Sequence, residues 1–115
     1  MYGIREIDSR TLAGWLEAED RPLLVDVRTP NEFAQGMIEG AELVPLHLVP
    51  LHAEQLVAGE RPVVFYCRSG ARSGQACAFI QSRHPGVRVF NLRGGVIDWV
   101  RQGLPLGRPA AVASR

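Results

Sequence analysis

Cysteine is scarce in this 115-residue chain, and neither sign of charge is in excess. Two cysteines, Cys67 and Cys77, are too few and too close to form the disulfide framework of a small secreted scaffold. Thirteen basic and twelve acidic residues leave a formal net charge of +1, which argues against a nucleic-acid or polyanion surface built on bulk charge. No apolar run approaches the roughly 18 residues of a membrane span. The first twenty residues carry Arg5, Glu6, Asp8, Arg10, Glu17, Glu19 and Asp20, which leaves no room for the apolar core of a signal peptide. We therefore expect a cytoplasmic protein with no membrane or nucleic-acid partner. The only histidines, His47, His52 and His84, lack the i, i+4 spacing of a helical zinc site, and no acidic cluster suggests magnesium or calcium. No metal and no cofactor are expected.

The length suits a single α/β domain, since a chain of this size buries one core and hardly two. Ile4 to Ile7 reads as a short edge strand, followed by an N-cap at Asp8 or Ser9 and a helical stripe of Leu12, Trp15 and Leu16 that belongs in the core. Pro22 opens a strand over Leu23–Val27, apolar except for Asp26. A carboxylate in a central strand needs partners; Asp26 either lies near the mouth of a site or ties adjacent loops, and the second reading is favoured. Thr29 caps a short helix with Pro30 at its first position, where Arg28 and Glu32, four apart, are expected to form an ion pair. Phe33 and Ile38 should pack inward, and Gly36 and Gly40 permit the turns before a strand from Ala41 to Val44. Val-Pro-Leu-His occurs at 44–47 and again at 49–52, too short to be an architectural repeat. Pro45 or Pro50 starts a helix running to Val57, with Gly59 as its stop.

The stretch that asks for chemistry is Pro62 to Arg83. Val63, Val64, Phe65 and Tyr66 form an apolar run suited to a strand buried on both faces, and Ala76, Cys77, Phe79 and Ile80 recur at helical spacing. Between them stands Cys67-Arg68-Ser69-Gly70-Ala71-Arg72, with Ser73 opening the helix. A thiol at a strand end, followed by a short loop and a helix N-terminus, sits where backbone N–H groups converge into an anion cradle. With Arg68 and Arg72 adding charge, such a loop lowers a cysteine pKa from about 8.5 toward 7 or below. Gly70 suits a position of positive φ. The bland alternative, a buried strand-end cysteine, is outweighed by two arginines and a glycine within five residues. Cys77 reads as a packed small hydrophobe and not as a resolving thiol, since a disulfide needs Cα atoms within about 7 Å.

Beyond Pro85-Gly86 a strand is expected over Val87–Leu92, with Gly94 and Gly95 directly after it. Loops that follow parallel strands meet on one side of a sheet, so Gly94-Gly95 can approach the Cys67 loop and leave room for a substrate. Asp98 and Trp99 fall in a last short helix, Trp99 either over the core or at the rim of a pocket. The domain is bounded at 1–105, and residues 106–115 read as an extended or mobile end. Strand and helix alternation implies a mostly parallel sheet of about five strands with helices on both faces.

Three ordered motifs carry a resemblance to the rhodanese family of single-domain sulfurtransferases, from about Ile4 to Pro105. Cys67-Arg68-Ser69-Gly70-Ala71-Arg72-Ser73 resembles its active-site loop. Val25-Asp26-Val27-Arg28 with Asn31-Glu32-Phe33, Gly36, Ile38, Gly40 and Ala41 resembles the first signature, and Leu92-Arg93-Gly94-Gly95-Val96-Ile97-Asp98-Trp99 the closing one. Met37 stands where the family usually has histidine, a scaffold position. The resemblance implies the three-layer rhodanese-like α/β fold and a double displacement. In it Cys67 takes a sulfane sulfur from a small anionic donor such as thiosulfate, Arg68 and Arg72 steer the donor, and Ser69, Gly70, Ala71 and Ser73 complete the loop. The persulfide then passes sulfur to cyanide, a thiol or a sulfur-carrier protein. Asp26, Arg28, Glu32, Gly94 and Gly95 support the site, and a thiolate formed in advance needs no histidine base. A cysteine phosphatase is the rival enzyme, but those of this fold place five residues between cysteine and arginine, whereas four separate Cys67 from Arg72. A relay or regulatory module with slight thiosulfate turnover is the reading from another class.

Overall fold

A computed structural model describes residues 3–109. Five strands, β1 (Glu6–Ile7), β2 (Leu23–Asp26), β3 (Glu42–Leu43), β4 (Val63–Tyr66) and β5 (Val89–Leu92), form one sheet in the order β1-β5-β4-β2-β3. All of their pairings are parallel. Helices α1 (Ser9–Leu16), α2 (Pro30–Ala34), α3 (Val49–Val57) and α4 (Ala71–Arg83) make the connections, and α5 (Gly95–Arg101) follows the last strand. Both prolines of the repeated tetrapeptide open helical structure: Pro45 precedes a 3-10 turn at Leu46–Leu48, and Pro50 lies in the first turn of α3. The first and third strands are shorter than expected, since only two residues of each pair with a neighbour.

Successive strand residues point to opposite faces, and the core divides accordingly. Val25, Val63, Phe65 and Val89 face α3 and α4 through Val49, Ala53, Leu56, Ala76, Cys77 and Ile80. Leu24, Val64, Tyr66 and Leu92 face α1 and α5 through Leu12 and Trp99. Every residue of β4 is buried, which explains its uninterrupted apolar run. Trp15 is half-buried beside this second cluster, edge-on to Phe90 at 5.1 Å between ring centroids. Trp99 covers core, and its indole N–H donates to the Pro105 carbonyl at 2.9 Å. Ile38 is buried, but Phe33 lies half-buried and belongs to neither cluster, because α2 buries none of its residues.

Asp26 is fully buried, and it is paired within two residues of its own chain. The Arg28 guanidinium folds back on it, Nε to Oδ1 at 2.9 Å and Nη2 to Oδ2 at 2.7 Å, and the Arg28 N–H donates to Oδ1 at 2.9 Å. This corrects the expected Arg28–Glu32 pair: the desolvated carboxylate in the strand has the stronger demand for a counter-ion than one on an exposed helix. Arg28 Nη2 also donates to the Gly36 carbonyl at 2.7 Å, and the Tyr66 hydroxyl accepts from Ile38 N–H at 3.0 Å. Between those anchors Met37 exchanges two backbone hydrogen bonds with Gly107, at 3.0 and 2.7 Å. Within the segment expected to be an extended or mobile end, Gly107 is pinned by this bridge, and residues 110–115 of that expectation lie outside the described residues.

Replacing Tyr66 by phenylalanine leaves the buried Ile38 N–H without its acceptor. Tyr66→Phe is expected to cost about 1–3 kcal/mol, read as a lower urea midpoint with an unchanged m-value. An unchanged midpoint would mean that this N–H finds another partner.

Candidate functional site

The chain leaves β4 toward β5 and leaves β2 toward β3, in opposite directions across the sheet. A parallel sheet opens a crevice at the carboxyl ends of such strands. The loops after β2, β4 and β5 meet there, and Cys67 is the first residue past β4. Val27 N–H donates to the Tyr66 carbonyl at 3.0 Å on one side, and Val96 and Ile97 N–H donate to the Cys67 and Arg68 carbonyls at 3.0 and 3.1 Å on the other. Gly95 permits that second clamp. Its φ of +59° is left-handed, and a Cβ there would be driven into the Cys67 and Arg68 backbone. The expected approach of Gly94-Gly95 to the Cys67 loop is thus a backbone-to-backbone contact.

Cys67 is 1 % exposed, and donors surround its sulfur. Gly70 N–H donates to Sγ at 3.1 Å, Ser73 N–H at 3.5 Å and the Ser73 hydroxyl at 3.4 Å. Gly70 reaches this position with φ +112°, directly before α4. Burial by itself pushes the thiol up; the bonds from the Ser73 side chain and from the Ser73, Gly70 and Ser69 N–H groups outweigh it and hold Cys67 below its ordinary value. The foremost stabilisers of the thiolate are thus neutral donors, not the guanidinium charges of Arg68 and Arg72 that the sequence suggested.

Arg68 and Ser69 are exposed, and Ala71 is the exposed first residue of α4. Arg72 turns to α2, where Nη1 donates to Glu32 Oε1 at 2.8 Å and Nη2 to Oε2 at 3.0 Å. Glu32 is also the third residue of a capping box with Thr29. The Arg72 guanidinium, with the Thr29 bonds, holds the Glu32 carboxyl down at about 2. A depressed carboxyl contributes stability above its unfolded value near 4.5 and loses it as the pH falls toward 2. The pair therefore persists throughout the neutral range.

The sequence reading missed Asn91. It is a buried amide in β5, and its Oδ1 accepts from the Ser73 hydroxyl at 2.6 Å. Its Nδ2 faces two acceptors, the Gly70 carbonyl at 3.1 Å and Glu6 Oε2 at 3.4 Å, which fixes the amide orientation. The single Ser73 proton serves Asn91 or the thiolate, one at a time. The signal in the sequence was a lone amide in a strand that is otherwise apolar on its buried positions, since such a group needs partners. Cys77, fully buried among apolar side chains, has its thiol pushed up to about 12 by burial. Among the described residues no group of three His, Cys, Asp or Glu side chains is placed to hold a metal, and no helix is long and apolar enough to cross a membrane.

A parallel five-stranded sheet, a thiol at the end of its central strand and a loop of converging donors define a rhodanese-like domain. The family model of the Rhodanese-like domain matches residues 9–102, and the chain belongs to that family. It is 51 % identical over 106 residues to a sulfurtransferase of Allochromatium vinosum, spanning 92 % of this chain and 97 % of that one. Among solved structures it is similar to a thiosulfate sulfurtransferase of Pseudomonas aeruginosa, with TM-score 0.79 and 31 % identity over 92 % of this chain and 20 % of that one. A rhodanese-like domain protein of Staphylococcus aureus superposes with TM-score 0.76 and 26 % identity, over 93 % of this chain and the whole of that one.

Removing the Ser73 hydroxyl takes away a donor to Cys67 while burial continues to act. Ser73→Ala is expected to raise the midpoint of the pH dependence of Cys67 alkylation by iodoacetamide. The wild-type midpoint should lie below that of an unperturbed cysteine. An identical midpoint in both proteins would remove Ser73 from control of the thiolate.

Proposed function

We propose that this protein is a sulfurtransferase that carries a sulfane sulfur on Cys67. The observation that supports this best is the Cys67 sulfur itself, buried yet held toward the thiolate by Gly70 and Ser73 at 3.1 to 3.5 Å. With thiosulfate as donor, the thiolate attacks the outer sulfur, the Cys67 Sγ–S bond forms, the donor's S–S bond breaks, and sulfite leaves with the electron pair. The persulfide anion then gives its outer sulfur to a nucleophilic acceptor and the thiolate returns. With cyanide the product is thiocyanate. Splitting one transfer into two is the usual gain of covalent catalysis, and no proton has to move in either half.

The reading extends to partners and place: a small anionic sulfur donor, a thiol or sulfur-carrier protein as acceptor, and the cytoplasm. Persulfide chemistry is favoured over phosphoryl transfer because only four residues separate Cys67 from Arg72. A relay variant, loaded from a protein persulfide with slight turnover of free thiosulfate, has one observation in its favour: the Arg72 fork is already occupied by Glu32.

Intact-protein mass spectrometry after thiosulfate treatment tests the proposal. Wild type should gain one sulfur atom, lose it to cyanide with thiocyanate formed, and Cys67→Ser should gain none. Sulfur retained by Cys67→Ser would place the nucleophile elsewhere. A wild type that takes no sulfur from thiosulfate or from a persulfide donor would overturn the reading.

A further inference from the structure

Arg72 is the cation built into the start of α4, and its two terminal nitrogens are both committed to one carboxylate. Glu32 is in turn held in place by its neighbours. The Thr29 N–H and hydroxyl both donate to Oε1, at 2.9 and 3.1 Å, and Thr29 Oγ1 accepts from Glu32 N–H at 3.2 Å. The carboxylate stays ionised throughout the neutral range. Arg72 and Glu32 side chains are 33 % and 29 % exposed, so an anion approaching Arg72 meets both members of the pair, while the exposed Arg68 is the other cation of the loop. Around the sulfur itself the donors are neutral. At the Arg72 end of the loop the second charge of a dianion works against Glu32.

Resting on the sulfur-transfer reading above, we propose that Glu32 is a positioning residue that sets donor selectivity. By engaging Arg72 it disfavours dianionic donors of the thiosulfate type relative to sulfane donors of lower charge, such as organic persulfides and thiosulfonates. A purely structural staple between α2 and α4 would have the same geometry but a different consequence. Electrostatic opposition scales with the charge on the donor, so a factor gained by a monoanion is squared for a dianion. Loss of a staple slows both donors alike.

The experiment compares sulfur loading of Cys67 from thiosulfate and from benzenethiosulfonate, read as second-order rate constants by intact mass at low ionic strength and fixed pH. Both donors present an outer sulfur to the same thiolate; one releases sulfite and the other benzenesulfinate, each leaving with the pair from the broken S–S bond. Glu32→Gln removes the charge and keeps the shape, while Glu32→Asp keeps the charge and shortens the reach. Since α2 buries none of its residues, neither variant strips the core. Glu32→Gln is expected to speed loading about tenfold from thiosulfate and about threefold from benzenethiosulfonate, the factors related by the donors' charges. Added salt should shrink the difference, and Glu32→Asp should leave the wild-type donor ratio in place. Equal changes for both donors in Glu32→Gln, or the same ratio shift in Glu32→Asp, would overturn the proposal. Those outcomes leave wild-type loading intact, whereas failure of the sulfur-transfer reading would appear as no loading of wild type by either donor.

Discussion

A charged sulfur at the end of a buried strand must be stabilised by the groups around it, because little water reaches it. Cys67 occupies that position, and the loop answers with short-range donors: Gly70 and Ser73 N–H groups and the Ser73 hydroxyl. Each donor has its own requirement. Gly70 must adopt a positive φ to turn its N–H inward, and Ser73 must be buried to reach the sulfur. Asn91 faces both, its Oδ1 competing with the sulfur for the Ser73 hydroxyl proton while its Nδ2 donates to the Gly70 carbonyl. From the other side, Val96 and Ile97 hold the Cys67 and Arg68 carbonyls so that the peptide planes of the loop stay aligned. The preorganisation is thus spread over β4, α4, β5 and α5, which explains why the thiol sits on the central strand.

The second constraint is the buried charge in β2. Asp26 and Arg28 satisfy one another, and the cost of desolvating both is repaid only because additional bonds complete their shells. Those bonds reach outward. Arg28 captures the Gly36 carbonyl, and Tyr66, whose ring lies beneath the guanidinium with 5.6 Å from Cζ to centroid, captures Ile38 N–H. Together they fix the segment that follows α2, and so the helix that presents Glu32 to Arg72. Met37 sits between these anchors, paired through its backbone with Gly107. Its side chain is buried, so this position serves the scaffold through its peptide and its packing.

Local pattern made much of this legible. The run Val63–Tyr66, the Thr29-Pro30 helix start, the glycines at 94 and 95 and the loop after Cys67 each obey a short-range rule, and each is found where that rule places it. Pairings that depend on the folded sheet were not legible, whether near or distant in sequence. The i, i+4 spacing of Arg28 and Glu32 satisfies the helix rule for an ion pair, yet each has a better partner that only the folded sheet supplies: Asp26 for one, Arg72 forty residues away for the other. Phe33 failed for a related reason, since α2 is too short to present an inward stripe. Asn91 escaped because an amide in a strand looks like noise until its neighbours are known.

The chain carries its own control for the electrostatic argument. Cys67 and Cys77 are both buried, at 1 % and 0 % exposure, so loss of water penalises ionisation at each. Their thiols nevertheless move in opposite directions, Cys77 up to about 12 and Cys67 below its ordinary value. Desolvation raises a thiol and cannot by itself lower one. What differs is the donor set: hydrogen bonds converge on Cys67, whereas the rise at Cys77 follows from burial, with the negative charges of Glu6 and the Cys67 thiolate adding to it. Since the stabilisers of the Cys67 thiolate are foremost neutral, its nucleophilicity does not depend on a free arginine. Arg72 keeps its charge and still feels that of Cys67, but none of its nitrogens donates to the sulfur, so under the proposal above its pairing with Glu32 acts on the approaching donor more than on the sulfur that attacks.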